Sequence, residues 1–136
     1  MSRRDVYRLI CRMAERDYAD VVDGAGFDDE SARVYLQDGS FLEVWLHRQE
    51  DLMERYAFHW ERRHVDGRVY RHDNTPHASW RGVETFPRHL HFEAESNVVE
   101  SQMPDDPISA SKYFLDFMRE YLRKRSSESR RAHERG

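Results

Sequence analysis

Cysteine is almost absent from this sequence of 136 residues, which contains a single one, Cys11. One thiol cannot close a disulfide within the chain or build a zinc site of several cysteines, so both are excluded for a single copy. No segment approaches the ~18 consecutive apolar residues of a membrane helix. The basic N-terminal segment interrupts its apolar residues with Arg8, Arg12 and Arg16, unlike a signal peptide. These features predict a cytoplasmic protein without a membrane partner.

Lysine is also scarce, since only Lys112 and Lys124 occur among 22 basic residues. Arginine suits bidentate contacts with phosphate or carboxylate better than lysine does. A GC-rich genome would produce the same bias and is the simpler explanation. The net charge of −4 hides a strong pattern, because eleven acidic and two basic residues give residues 17–54 a charge of −9. Residues 55–91, by contrast, carry +3.

Two segments have the periodicity of amphipathic helices. Residues 3–20 place apolar side chains on one stripe, with Ser2 as the N-cap and Asp5 three positions further on. Residues 108–124 carry a second stripe, and Ser109 is their predicted cap. We therefore expect one helix at each end of the domain.

Between these helices the sequence is typical of antiparallel strands. Asp38-Gly39 separates two β-prone runs and predicts a hairpin with a type I′ turn. Residues 21–30 are interpreted as a turn or a short strand, and residues 48–54 as a charged connection that can form one helical turn. Residues 74–88 contain two prolines and no usable period, which predicts a long loop. The predicted strands are residues 32–37, 40–47, 55–63, 68–73 and 89–94, and residues 97–101 can join them.

Alternation assigns the faces of these strands. Tyr56, Phe58 and Trp60 share one face, which is more typical of a core than of a platform for bases. Arg71 and Asp73 share a face of the next strand. In residues 40–47 the apolar face is predicted to hold Leu42, Val44 and Leu46, and the mixed face Phe41, Glu43, Trp45 and His47.

The order of elements predicts an α+β fold, with an antiparallel sheet of about five strands and the N-terminal and C-terminal helices packed on one face. The length indicates a single domain, predicted to span residues 1–124. Residues 125–136 are basic and contain no large apolar residue, so we expect a disordered tail.

Six of the eight histidines lie between His59 and His91, among several arginines. Metal-free cleavage of RNA needs a base for the 2′-hydroxyl, an acid for the leaving oxygen and cations on the phosphate. Histidine suits both proton roles near neutral pH. We expect His59 and His89 to form the proton-transfer pair. The complete set of candidates is His59, His77, His89, His91 and Asp73 for catalysis, with Arg71, Arg88, Asn74 and Trp80 for substrate binding.

Two other interpretations of these residues stay open. His89-x-His91 on one strand face could direct two imidazoles at a metal ion, with His59, His77 or Asp73 as third ligand. The preferred mechanism includes neither a metal nor a cofactor. Alternatively, the residues of Asp73-Asn74-x-Pro76-His77 serve only to form a turn, and the histidines have structural roles.

The central stretch, residues 55–92 followed by Val98-Val99-Glu100-Ser101, resembles the TumE-like toxin family of prokaryotic toxin–antitoxin modules. The resemblance covers roughly residues 33–122. Three elements carry it: an aromatic strand ahead of a glycine turn, then Tyr70-Arg71-x-Asp73-Asn74-x-Pro76-His77, and then Thr85-Phe86-Pro87-x-His89-x-His91. It implies a small α+β toxin, encoded beside a DNA-binding antitoxin, whose target is RNA or translation. It implies no set of catalytic residues.

These observations predict a toxin-like component of such a module, acting as a metal-independent endoribonuclease or a translation inhibitor. Its expected partners are a cognate antitoxin and RNA, and a homodimer is left open. One alternative is a non-enzymatic module that binds protein or nucleic acid, with the acidic residues 17–54 facing a basic partner. Another is a metal-dependent hydrolase.

Overall fold

The computed structural model describes residues 1–49, 52–74, 82–83, 87–104 and 106–135. The predicted site residues His77 and Trp80, and most of the predicted loop at 74–88, lie outside these ranges. The elements are α1 (Arg3–Asp17), β1 (Val22–Phe27), β2 (Ser31–Leu36), β3 (Phe41–Gln49), β4 (Leu52–Arg62), α2 (Arg63–Asp66), β5 (Arg68–Asp73), β6 (His89–Glu93), β7 (Val98–Val99) and α3 (Pro107–Arg135).

In the described part of the chain, seven strands form one antiparallel sheet in sequence order, β1 to β7. The predicted α+β class is confirmed, with more strands than the expected five or so. The additional strands are β1 and the short β7. The sequence predicts β1 only weakly, because Gly24 and Gly26 lie within the segment and glycine has a low β-propensity. Pairing with β2 nevertheless orders the segment, with Gly26 opposite Arg33.

The turn between β2 and β3 differs from the predicted type I′. Gly39 takes a left-handed φ of 91°, but the only described residue other than glycine with a positive φ is Glu93. Leu36 N donates to Ser40 O and Gly39 N donates to Leu36 O, at 2.9 and 3.1 Å. This pattern fits a turn followed by one left-handed glycine. Asp38 is instead held by its carboxylate, which accepts from Ser40 N at 3.0 Å.

The predicted charged connection at residues 48–54 is wrong. β3 continues to Gln49 and β4 begins at Leu52, with these two residues paired across the strands. The register shifts by one residue between His47 and Arg48, but the pairing continues, so cross-strand pairing prevails over the weak local preference of charged residues.

The ends of the helices follow local capping chemistry. At α1 the predicted Ser2 cap is confirmed, because Ser2 and Asp5 form a reciprocal capping box. At α3 the predicted Ser109 cap is wrong. Pro107 occupies the first helical position, and the Asp106 carboxylate accepts a hydrogen bond from Ser109 N at 2.9 Å.

The core lies between one face of the sheet and the helices α1 and α3, as predicted. Phe58 stacks on Phe114 at 6.3 Å, and Trp60 meets Phe117 edge-on at 6.0 Å. Cys11 is buried in this core, and burial raises the pKa of its thiol to about 11. The predicted apolar faces are confirmed, since the core includes Leu42, Val44, Leu46, Tyr56, Phe58 and Trp60.

The helix α3 continues beyond its predicted end at residue 124. Leu122 is the last residue of α3 that packs against the core, and the side chains of residues 123–128 are exposed. Residues 125–135 contain four arginines, two glutamates and no proline, so their local preference is helical. The domain boundary at residue 124 and the disordered tail stay predictions.

None of the helices in the described ranges combines the length and the apolar character that a crossing of the bilayer requires.

Candidate functional site

The face of the sheet turned away from α1 and α3 collects the charged and histidine side chains of the central strands. Its members follow from the registers, since paired residues point to the same side: Glu43 lies opposite His59, His59 opposite Arg71, Arg71 opposite His91, and Asp73 opposite His89. We call this surface the polar face; the residues used below are Arg33, Glu43, Trp45, His59, Glu61, Arg71, Asp73, His89 and His91.

Asp73 is the centre of the polar face. Its carboxylate Oδ2 accepts from Arg71 Nε at 2.8 Å, and its Oδ1 lies 3.0 Å from His89 Nε2. His91 Nε2 is 3.9 Å from Oδ2. The side chains of Asp73, His89 and His91 are only 5%, 2% and 11% exposed. We call these three residues and Arg71 the Asp73 cluster.

Backbone carbonyls orient both imidazoles of the Asp73 cluster. His89 Nδ1 lies 2.9 Å from Pro87 O, and His91 Nδ1 lies 2.6 Å from Glu95 O. A carbonyl can only accept, so each Nδ1 carries the hydrogen. Each Nε2 is therefore turned toward the Asp73 carboxylate.

The turn from β6 to β7 supplies one of these carbonyls through an unusual backbone conformation. Glu93 has a φ of 69°, a region that residues other than glycine seldom adopt. The Asn97 side chain donates to Phe92 O at 3.1 Å and holds the turn closed. Such strain persists where the surrounding structure enforces it, often at functional sites.

A small recess of about 160 Å³ lies beside the Asp73 cluster. Its lining includes Trp45, His59 and Arg71, together with Glu43 and Ala57. We call it the Trp45 recess. Trp45 is 39% exposed, and its indole stacks on the ring of His47 at 5.7 Å. Arg71 lines the recess and also contacts Asp73, so it links the two parts of the polar face.

His59 is held from one side only. Its Nε2 lies 3.3 Å from Glu61 Oε1, while its buried Nδ1 has no hydrogen-bond partner among the described residues. Hydrogen bonds from the Arg63 side chain lower the pKa of Glu61 to about 2. Glu61 therefore stays charged at neutral pH and can fix the ring of His59.

The predicted residues thus fall into three groups. Arg71, Asp73, His89 and His91 come together, with His59 across from Arg71. Arg88 instead donates to the carbonyl of the core residue Met103 at 3.1 Å, and Asn74 Oδ1 accepts from Tyr56 N at 3.0 Å. The third group, His77 and Trp80, lies outside the described residues.

Neither Trp45 nor Glu61 was among the predicted site residues. A signal for Trp45 exists, because alternation puts this large aromatic on the mixed face of its strand. Glu61 had no comparable signal, since its role depends on the neighbouring His59 and Arg63.

The arrangement brings together an arginine, a buried carboxylate and oriented imidazoles beside an exposed aromatic ring. These groups can bind an anion, move a proton or hold a metal ion. The last possibility concerns Asp73, His89 and His91, whose donor atoms all lie within 4.8 Å of one another.

The fold and the polar face define a class: small α+β proteins in which an antiparallel meander, backed by helices on one side, presents a histidine- and arginine-bearing surface on the other. A family model described as Toxin TumE matches residues 10–122, most of the chain. The chain therefore belongs to the TumE toxin family, which confirms the predicted resemblance. Searches of curated proteins and of solved structures found no significant match.

Proposed function

We propose that this protein is the toxin of a toxin–antitoxin module and that it cleaves RNA on the polar face. Membership of the toxin family supports the first part. The observation that carries the second is the Trp45 recess, which groups an exposed aromatic ring, a histidine and an arginine.

The substrate that fits these groups is single-stranded RNA. An unpaired base can stack on Trp45, because every base offers a π-face to an aromatic side chain. The guanidinium of Arg71 can contact the adjacent phosphate while Asp73 fixes its direction. Glu43 also lines the recess, but Arg33 compensates its charge at 2.7 Å.

His59 is the general base in this proposal. It takes the proton of a ribose 2′-hydroxyl, whose oxygen then attacks the phosphorus while the bond to the 5′-oxygen breaks. Glu61 holds the imidazole and stabilises the cation formed. The departing 5′-oxygen needs a proton or a cation to neutralise its charge. The Asp73 cluster is the proposed source of that proton or cation, in agreement with the prediction that His89 transfers a proton.

A cognate antitoxin is the proposed protein partner, acting in the cytoplasm where RNA is available. The acidic residues 17–54, with their charge of −9, suit a basic antitoxin surface. A homodimer stays a prediction.

The test of the proposed RNA cleavage compares His59→Gln with the parent on a single-stranded RNA. Glutamine keeps a polar contact to Glu61 but cannot transfer a proton, so we expect the cleavage rate to fall by about 10²–10⁴-fold. His64→Gln is the matched control, because His64 is exposed on α2 and does not line the recess. It should cleave at the parental rate.

Two outcomes would contradict this assignment. Equal cleavage by His59→Gln and the parent would remove His59 as the base. Growth arrest on expression, with cellular and added RNA both intact, would instead favour a translation inhibitor that acts by binding.

A further inference from the structure

We propose that Asp73, His89 and His91 form a binding site for one divalent transition-metal ion of the zinc type. The geometry points to this site because one carboxylate oxygen and two imidazole nitrogens converge, all within 4.8 Å of one another. Zinc bound by nitrogen and oxygen ligands lies about 2.0–2.2 Å from each. A small contraction of the cluster around an ion would reach these distances.

The hydrogen bonds around the cluster are those that a metal site needs. A histidine that binds a metal through one nitrogen usually donates its other N–H to a carbonyl or carboxylate. His89 and His91 both do so, toward Pro87 O and Glu95 O. Their remaining nitrogens are thereby directed at Asp73.

A bound metal ion would also satisfy both ring nitrogens of His89. Both of its ring nitrogens face oxygens, Pro87 O at 2.9 Å and Asp73 Oδ1 at 3.0 Å. A neutral imidazole has only one N–H and cannot donate to both, so the ring needs either a second proton or a cation at Nε2. With an ion between Nε2 and Oδ1, the neutral ring satisfies both neighbours.

The ligand set selects the class of ion. Two imidazoles and one carboxylate suit zinc, cobalt, iron or manganese, whereas Mg²⁺ and Ca²⁺ prefer oxygen ligands. Three protein ligands leave at least one position for water or substrate, as in reactive rather than structural zinc sites. Arg71 donates a hydrogen bond to Asp73 Oδ2, whereas Oδ1 is the carboxylate oxygen nearest His89.

Binding of the ion is independent of RNA cleavage; only its use in that reaction rests on the proposed function. There it would stabilise the negative charge on the phosphate or the departing oxygen. The site is thus a second way for the Asp73 cluster to supply the cation that the leaving oxygen needs.

Metal titration of the full-length protein tests the site. The protein is stripped with a chelator and titrated with Zn²⁺ by calorimetry and with Co²⁺ by absorption spectroscopy. We expect one ion per chain. His91→Ala, which removes the most exposed ligand, should weaken Zn²⁺ binding by at least about 100-fold, the upper range for losing only an outer partner. His64→Ala, a matched change on α2, should bind as the parent does.

Asp73→Asn provides a second ligand variant, with circular dichroism to confirm that each variant is folded. Absence of Zn²⁺ and Co²⁺ binding by the parent would overturn the proposal. So would parental affinity in folded His91→Ala, because the ion would then lie elsewhere. Tight binding without any RNA cleavage would support the metal site while refuting the proposed function.

Discussion

At the scale of single residues, the polar face depends on Asp73, which Arg71, His89 and His91 all approach. The sequence predicts two parts of this cluster, because Arg71-x-Asp73 and His89-x-His91 each place their residues on one strand face. It does not predict that the two pairs meet. That depends on the register of β5 with β6, which sets Asp73 opposite His89.

Glu61 is expected to contribute stability that depends on pH. Its pKa is lowered to about 2 by the hydrogen bonds from Arg63, below the unfolded value of about 4.3. A lowered carboxylate pKa stabilises the fold above the unfolded pKa, and this contribution is lost as the pH falls toward 2. We therefore expect Glu61→Gln to lose less stability than the parent between pH 4.5 and 2.

Chemical denaturation at several pH values measures this difference. Glu43→Gln is a control on the same face, since Glu43 is also paired with an arginine but across strands. Parallel pH profiles for the parent and Glu61→Gln would show that Arg63 does not stabilise the charged form of Glu61.

At the scale of elements, the helices and most strands follow from local patterns, whereas several boundaries do not. The capping box at α1 is a local signal and was predictable. The continuation of β3 to Gln49 and the start of β4 at Leu52 were not, because they depend on pairing between the two strands. The same holds for β1, which β2 orders in spite of two glycines.

Gly39 and Gly26 form a matched pair for testing the hairpin turn. Neither has a neighbouring atom within 4 Å of an added Cβ, but only Gly39 has a positive φ, of 91°. An alanine at a left-handed position is strained, by about 1 kcal/mol or more. We expect Gly39→Ala to lower the free energy of unfolding by that amount.

At Gly26 the backbone accepts alanine, and restricting the unfolded chain should leave stability unchanged or raise it by about 0.4–1 kcal/mol. Urea denaturation of both variants gives the comparison. If Gly39→Ala proved as stable as Gly26→Ala, the left-handed turn would be incorrect.

At the scale of the whole molecule, α1 and α3 cover one face of the sheet and leave the polar face open. Contacts between α3 and the segment that follows α1 keep the two helices together, since Tyr18 Oη lies 2.5 Å from the Asp116 carboxylate and Arg119 pairs with Asp20 at 2.8 Å. Tyr121 connects α3 to α2, since its hydroxyl donates to the Asp66 carboxylate at 2.6 Å.

A chain truncated after Lys124 is expected to remain folded. It loses Arg125, whose ion pair with Asp66 is long at 3.9 Å and worth about 0–1 kcal/mol as a partly exposed pair. A chain ending at Met118 also loses Tyr121 and its bond to a charged carboxylate, which costs about 1.5–3 kcal/mol or more.

Thermal unfolding of both truncations tests the predicted domain boundary. A large loss of stability in the chain that ends at Lys124 would show that residues 125–136 belong to the folded unit.

Local patterns in the sequence are sufficient to predict the class of fold, the apolar face of each central strand and the types of side chain on the opposite face. These properties have a local physical basis, because alternation and helical periodicity depend on neighbouring residues only. The register between distant strands was decided by the tertiary structure. Fifteen residues separate Asp73 from His89, and no local period specifies how the two strands align across them. Only the folded sheet brings that carboxylate and the two imidazoles together, because pairing fixes which residues of β5 and β6 lie side by side.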